Sequence, residues 1–142
     1  MRVNGGTTSA WAFAAVTALG SSAALAADFD DKSNLVCAAT DAVVCTESAG
    51  CAQGSARAFE LPEFLYVNFQ KKAVHARTAD AKTVNVQSPI LNQHMSERSM
   101  VLEGFENDQG WTVSVQRKGG RMTTTVTGGA ATVVLFGACT PI

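Results

Sequence analysis

The last third of the chain alternates between apolar and polar positions with a period of two. This pattern predicts four short β-strands, because successive side chains of a strand point to opposite faces. Clusters of Asn, Asp and Gly separate them and supply the positive φ angles that tight hairpin turns need. The predicted strands are Met100–Phe105, Trp111–Arg117, Arg121–Thr127 and Ala131–Phe136. The chain should therefore end in a four-strand antiparallel meander.

Earlier segments show the same period. A long first strand is predicted over Leu35–Cys45, with a bulge near Asp41. Phe64–Phe69 alternates cleanly, and a charged turn at Gln70–Lys72 should lead into the returning strand Ala73–Thr78.

The remaining segments of the middle region have weaker patterns. Glu47–Ser55 is small and polar and is predicted to be a loop, followed by a short strand at Ala56–Glu60. Thr83–Gln87 is predicted to be a strand. Pro89 then marks a break or an edge, since proline cannot donate to a ladder, and Ile90–Gln93 can continue the pairing. His94–Arg98 reads as a polar connection into the meander.

No helical period runs through residues 27–142, and β-branched residues dominate the final third. About eight short strands at regular spacing predict an all-β fold, either a small antiparallel β-barrel or a sandwich. The closed barrel is preferred, because closure removes the exposed edges that a long meander would leave.

The first 26 residues have the features of a cleaved signal peptide. Arg2 gives a positive start, Ala10–Leu19 is apolar, and Ala24-Leu25-Ala26 fits the small-x-small pattern before a cleavage site. The alternative is a retained membrane anchor, but the apolar run is shorter than the roughly 20 residues that a spanning helix needs. We therefore expect a signal peptide at 1–26 and one domain at 27–142, with no stable membrane insertion after cleavage.

Composition and net charge limit the classes of binding partner that we expect. The chain has 142 residues, with 11 Lys and Arg and 12 Asp and Glu. Removal of Arg2 with the signal would leave a net charge of −2, and such a near-neutral balance predicts no nucleic-acid partner. Asp28–Ser33 carries three aspartates and is predicted to be a solvated N-terminal segment.

Four cysteines follow the predicted cleavage site: Cys37, Cys45, Cys51 and Cys139. An even number in a small exported domain predicts two disulfides, and the spacings do not match the close pairs of a zinc site. Of the three connectivities, we choose Cys45–Cys51 as a local bond and Cys37–Cys139 as a bond between first and last strands. The second choice requires those strands to be neighbours, which barrel closure demands.

The chain resembles a group of small, four-cysteine, all-β exported bacterial proteins of unknown function. The resemblance covers most of residues 27–142 and implies the fold and the disulfides, with no activity. The shared features are the spacing of Cys37, Cys45 and Cys51, the strand from Leu61-Pro62 to Phe69, Gly104 with Gly110-Trp111, Arg121-Met122-Thr123 and Phe136-Gly137-Ala138-Cys139.

A second resemblance is architectural only. Small periplasmic β-barrels that inhibit lysozymes also combine a signal peptide, about a hundred residues and disulfides. Their serine-, glycine- and tyrosine-bearing recognition motif has no counterpart in this sequence, so the likeness concerns the fold.

Catalytic and metal-binding motifs are missing from the sequence. His75 and His94 have no second ligand at metal-binding spacing, and no serine lies in a nucleophile elbow. Glu60, Glu63 and Glu103 are carboxylates without a recognisable partner across a cleft. We therefore expect no catalytic residues, no metal and no cofactor.

Aromatic and basic residues give the candidate binding surface: Trp111, Tyr66, Arg117, Lys118 and Arg121. Charges at hairpin tips also serve to prevent edge-to-edge aggregation, which is the competing explanation for the basic residues. For Trp111, packing in the core or at a barrel end, with a partner for the indole N–H, is the favoured interpretation.

These features predict a periplasmic or secreted β domain that binds an envelope or extracellular protein or a small ligand without catalysis. One alternative is an inhibitor of a cell-envelope or host enzyme. The others are a small hydrolase with an unrecognised carboxylate site and a lipocalin-like ligand carrier. The carrier hypothesis requires a cavity inside the barrel, because a filled interior would leave only rims and loops.

Overall fold

The structure, a computed structural model, describes residues 29–80, 82 and 85–142. The predicted signal peptide and its cleavage site lie outside the described residues. In the described part of the chain no helix is long and apolar enough to cross a membrane.

Eight antiparallel strands close into a barrel, and a ninth strand extends one wall. The strands are β1 (Leu35–Thr46), β2 (Gly50–Ser55), β3 (Phe64–Asn68), β4 (Ala73–Arg77), β5 (Asn85–Met95), β6 (Ser99–Glu106), β7 (Gln109–Gln116), β8 (Arg121–Gly128) and β9 (Ala131–Pro141). The order around the barrel is β1-β3-β4-β5-β6-β7-β8-β9, and β9 pairs with β1 to close it. This confirms the all-β prediction and decides for the barrel over the sandwich.

The long first strand contains a bulge. Its register against β9 shifts between Ala39 and Asp41, close to the predicted position. The bulge changes which residues face inward, so that Leu35 and Cys37 are buried before it and Ala42 after it. One strand can therefore supply inward side chains along the full height of the barrel.

Glu47–Ser55 was predicted to be a loop, and the structure confirms this only for its first half. Its second half forms β2. This strand pairs with the C-terminal half of β1, whereas β3 pairs with the N-terminal half. The predicted strand at Ala56–Glu60 is also wrong, because Arg57–Phe59 forms a 3₁₀ turn. β5 continues through Pro89 and includes His94 and Met95, which were predicted to lie in a connection.

The two disulfides have the pairing chosen from the sequence. Cys37 is bonded to Cys139 across the β1–β9 seam, where the two residues lie directly opposite each other. Cys45 is bonded to Cys51 across the β1–β2 hairpin. The first bond therefore joins the two strands whose pairing closes the barrel, and both fit an oxidising compartment.

One end of the barrel is filled. Large inward side chains pack there, with Leu35, Met100 and Leu102 fully buried. Phe29, predicted to lie in a solvated segment, is instead 3% exposed, and its backbone N–H donates to the Arg117 carbonyl at 3.0 Å. The segment before β1 therefore covers this end, which we call the closed end.

Candidate functional site

The opposite end of the barrel contains a cavity of about 300 Å³. We call this end the open end; the β6–β7 and β8–β9 turns lie there, together with the segment before β3. The inward side chains that line the cavity are mostly aliphatic: Leu61, Pro62, Leu65, Val74, Ala76, Val86, Val113, Val126, Val133 and Leu135. The interior is thus apolar but unfilled at this end, which is the condition that the carrier hypothesis requires.

Trp111 forms part of the cavity wall. It directly faces Gly104 on β6, and a Cβ atom at position 104 would lie only 2.1 Å from its ring. The indole therefore lies over a glycine, and its Nε1–H donates to the Ser88 hydroxyl at 2.7 Å. As the sequence indicated, Trp111 packs at a barrel end with its N–H satisfied, so that the ring is held in one orientation.

Thr124 is the second polar contribution to the wall. It lies in the middle of β8 on the inward face, between Val113 of β7 and Leu135 of β9. Thr124 is only 3% exposed, and its Oγ1 has no hydrogen-bond partner among the described residues. Thr124 therefore belongs to the cavity wall, but its hydroxyl oxygen is itself buried and has no partner among the described residues.

The rim of the cavity is polar. Glu106, Asn107 and Gln109, at the β6–β7 turn, line its mouth. Asn107 and Asp108 both have positive φ (51° and 60°), as a two-residue hairpin turn of this twist requires. The turn chemistry read from the sequence therefore also positions the side chains at the entrance.

The carboxylates do not converge. Among the described residues that line the cavity, Glu106 is the one carboxylate and no Lys, Arg or His is present. Glu63 lies 3.3 Å from Arg57 Nε and also accepts the backbone N–H of Ala79. Glu103 accepts a hydrogen bond from Asn92 on the barrel wall. Within the described part of the chain, no group of three His, Cys, Asp or Glu side chains could hold a metal ion.

The predicted binding surface is not one surface. Trp111 lies inside the open end, whereas Arg117, Lys118 and Arg121 lie at the β7–β8 turn of the closed end. Arg117 follows Trp111 by six residue steps of extended chain, which is a span of about 20 Å. Tyr66 lies on another strand and accepts a hydrogen bond from Arg77 at 2.8 Å.

Arg117 has a structural role at the closed end. Its Nε donates to the Phe29 carbonyl at 2.9 Å, while the Phe29 N–H donates to the Arg117 carbonyl. Arg117 thereby fixes the segment that covers the closed end. Lys118 and Arg121 are exposed.

Sequence reasoning missed Thr124 and Ser88. Both lie among β-prone residues, and the only available signal was the inward parity that Thr124 shares with Met122 and Val126.

No known protein-family model matches the chain, and no curated protein matches it either.

Proposed function

We propose that this domain binds a small, uncharged, mostly apolar ligand inside the open end of the barrel and acts as its carrier or receptor in the periplasm or outside the cell. The observation that supports this most is the apolar cavity of about 300 Å³. Pockets for small molecules start at about this volume and are lined mainly by hydrophobic side chains with a few polar groups.

The cavity volume sets the ligand size. An apolar cavity of about 150 Å³ holds benzene, with six carbon atoms. By proportion, about 300 Å³ should hold a ligand of about 12 non-hydrogen atoms, which is the size of a substituted naphthalene.

The energetics also support a binding role. Unfilled core volume costs about 24 cal/mol per Å³, so a closed cavity of this size would cost at most about 7 kcal/mol. That is comparable with the whole stability of an ordinary domain, about 5–15 kcal/mol. The cavity opens at its rim, so its actual cost is smaller than this limit, and a ligand that covers the apolar wall would recover part of it.

The alternative functions have less support. A glycosidase-like hydrolase needs two carboxylates across a cleft, whereas Glu106 is the one carboxylate among the described residues of the cavity. The candidate binding surface needs aromatic and basic side chains that act together, whereas Trp111 lies at the opposite end of the barrel from Arg117, Lys118 and Arg121. We propose a non-catalytic function on these grounds.

Titration calorimetry of the oxidised protein with 2-methylnaphthalene tests the proposal. We expect one site with Kd of about 10–100 µM, since an 11-atom ligand at about 0.5–0.6 kcal/mol per atom gives that affinity. Ala76→Trp should weaken binding at least tenfold, because Ala76 lines the cavity and an indole there would fill much of it.

Ala38→Trp is the matched control. Ala38 is exposed on the outer face of β1, so binding should be unchanged. The proposal is wrong if folded wild-type protein shows no binding up to the solubility of the ligand. It is equally wrong if the two tryptophan variants bind the ligand alike.

A further inference from the structure

The two disulfides lie on opposite faces of the barrel wall. Cys37 and Cys139 face inward, and only 0% and 8% of their surfaces are exposed. Cys45 follows Val44, which lies directly opposite the cavity-lining Val133. Because opposite residues share a face and successive residues alternate, Val44 faces inward and Cys45 faces outward. One disulfide is therefore inside the barrel and the other is outside it.

The outer disulfide can be reached from solvent in the folded protein. Cys51 is exposed and Cys45 is half-buried. An open groove of about 290 Å³ adjoins Cys45, between the β1–β2 and β8–β9 turns. Thiol–disulfide exchange begins when a thiolate attacks one sulfur of the bond, so its rate depends on access. Access therefore favours reaction at Cys45–Cys51 over reaction at the buried bond.

The outer disulfide is also the crosslink that holds β2 in place. β2 pairs with β1 and with no other described strand. Five of its six residues are exposed, so packing contributes little to its attachment. Gly50 and Gly54 further lower its β-propensity. The attachment of β2 therefore depends strongly on the bond between Cys45 and Cys51.

We propose that Cys45–Cys51 is a thiol–disulfide exchange site that an external dithiol reduces, and that its reduction releases β2 from β1. A thiolate of the dithiol attacks Cys51 Sγ, the bond to Cys45 breaks, and Cys45 leaves as a thiolate that takes up a proton. The second thiol then attacks the mixed disulfide and frees Cys51 as a thiol. Two electrons and two protons pass to the protein, and the dithiol becomes a disulfide. The proposal is independent of the proposed function, because neither cysteine lines the cavity.

The barrel stays closed in both redox states. Cys37–Cys139 joins β1 to β9, the two strands whose pairing closes the barrel, and this bond remains oxidised. An oxidising compartment keeps Cys45–Cys51 formed at rest, so arrival of a dithiol reductant is the trigger. The two states differ in β2, which is held beside β1 in one and released in the other.

Dithiothreitol, a small dithiol, tests the exchange step. Folded wild-type protein is treated with an excess of it, samples are quenched by alkylation, and a peptide map quantifies each bond over time. Cys45–Cys51 should be reduced at least about a hundredfold faster than Cys37–Cys139, because the inner bond reacts only when the barrel opens. In denaturing urea this difference should disappear.

Two results of this experiment would overturn the proposal. One is loss of both bonds at the same rate in the folded protein. The other is persistence of Cys45–Cys51 until the protein unfolds.

Hydrogen–deuterium exchange tests the release of β2. After selective reduction, the amides of Gly50–Ser55 should exchange at least about tenfold faster, whereas those of Ser99–Glu106 in the barrel wall should be unchanged. The matched control is the variant with Cys45→Ala and Cys51→Ala. Its β2 should exchange as fast as that of reduced wild type, and dithiothreitol should not change this rate. Unchanged protection of β2 after reduction would overturn the proposal, since the bond would then control no structural change.

Discussion

The two disulfides should contribute unequally to stability, because they close loops of very different length. Cys37 and Cys139 are 102 residues apart in sequence, whereas Cys45 and Cys51 are six apart. A bond that joins distant residues removes more conformational freedom from the unfolded chain. Two variants test this, one with Cys37→Ala and Cys139→Ala and the other with Cys45→Ala and Cys51→Ala.

The loop-entropy relation gives the magnitudes. It predicts about 4.7 kcal/mol for the long loop and about 2.3 kcal/mol for the short one, a difference of about 2.4 kcal/mol. For a domain of this size, 1 kcal/mol changes Tm by about 4 °C, so the expected losses are about 19 °C and about 9 °C. Burial increases the difference between the two losses of stability, because Cys37 is fully buried in the core and Cys51 is exposed.

Urea unfolding followed by circular dichroism and by Trp111 fluorescence measures both variants at one temperature, and a thermal scan gives Tm. A non-reducing peptide map serves as the control that each variant retains its remaining disulfide. Equal losses of stability, or a larger loss in the Cys45 and Cys51 variant, would show that loop length does not set the contribution of these disulfides. Either result would mean that the unfolded chain is already restricted or that the β1–β2 hairpin contributes more than its loop length implies.

Two other predictions can be checked with simple measurements. Gly104→Ala should destabilise the domain by about 1–3 kcal/mol and shift Trp111 fluorescence, because the new Cβ would lie 2.1 Å from the indole and 2.5 Å from the Pro89 carbonyl oxygen. Urea unfolding measures this against Gly110→Ala, where no atom lies within 4 Å of the added Cβ; equal losses would contradict the reasoning. The exported protein should begin at Ala27 or Asp28 by intact-mass spectrometry, and recovery of the chain from Met1 in membranes would contradict the signal-peptide prediction.

The meander could be predicted from the sequence because its information is local. Alternation, β-branched residues and short turns fixed its four strands, and the starts of the last two agree with the structure. The bond between Cys37 and Cys139 followed from one topological argument, that first and last strands of a barrel meet.

β2 could not be predicted, because its pairing comes from tertiary context. Gly50–Ser55 has little β-propensity, yet the C-terminal half of β1 offers an edge that β3 leaves unpaired, since the β1–β3 pairing stops at Ala38 and Phe64. The disulfide to Cys45 also holds Cys51 directly opposite its partner. An edge and a covalent bond therefore make a strand of a segment whose residues favour a loop.

Pro89 illustrates the same limit. Asn85–Pro89 pairs with β4, and the pairing with β6 begins only at Ile90. The Ile90 N–H donates to the Lys72 carbonyl on the β4 side, so the position of the missing Pro89 N–H faces the β6 side, where no ladder has yet begun. The strand can continue through proline because it changes partner there, which no local pattern reveals.

The cavity follows from the size of the side chains and not from the architecture. An eight-strand barrel has an interior just wide enough for side chains to fill. At the closed end the inward positions hold Met100, Met122 and Leu35 under the Phe29 ring, and that end is filled. At the open end the same strands present mostly valine, alanine, serine and threonine, which are too small to meet across the axis. The closed end, crosslinked through Cys37 and Cys139, therefore supplies the packing that lets the open end keep its volume unfilled.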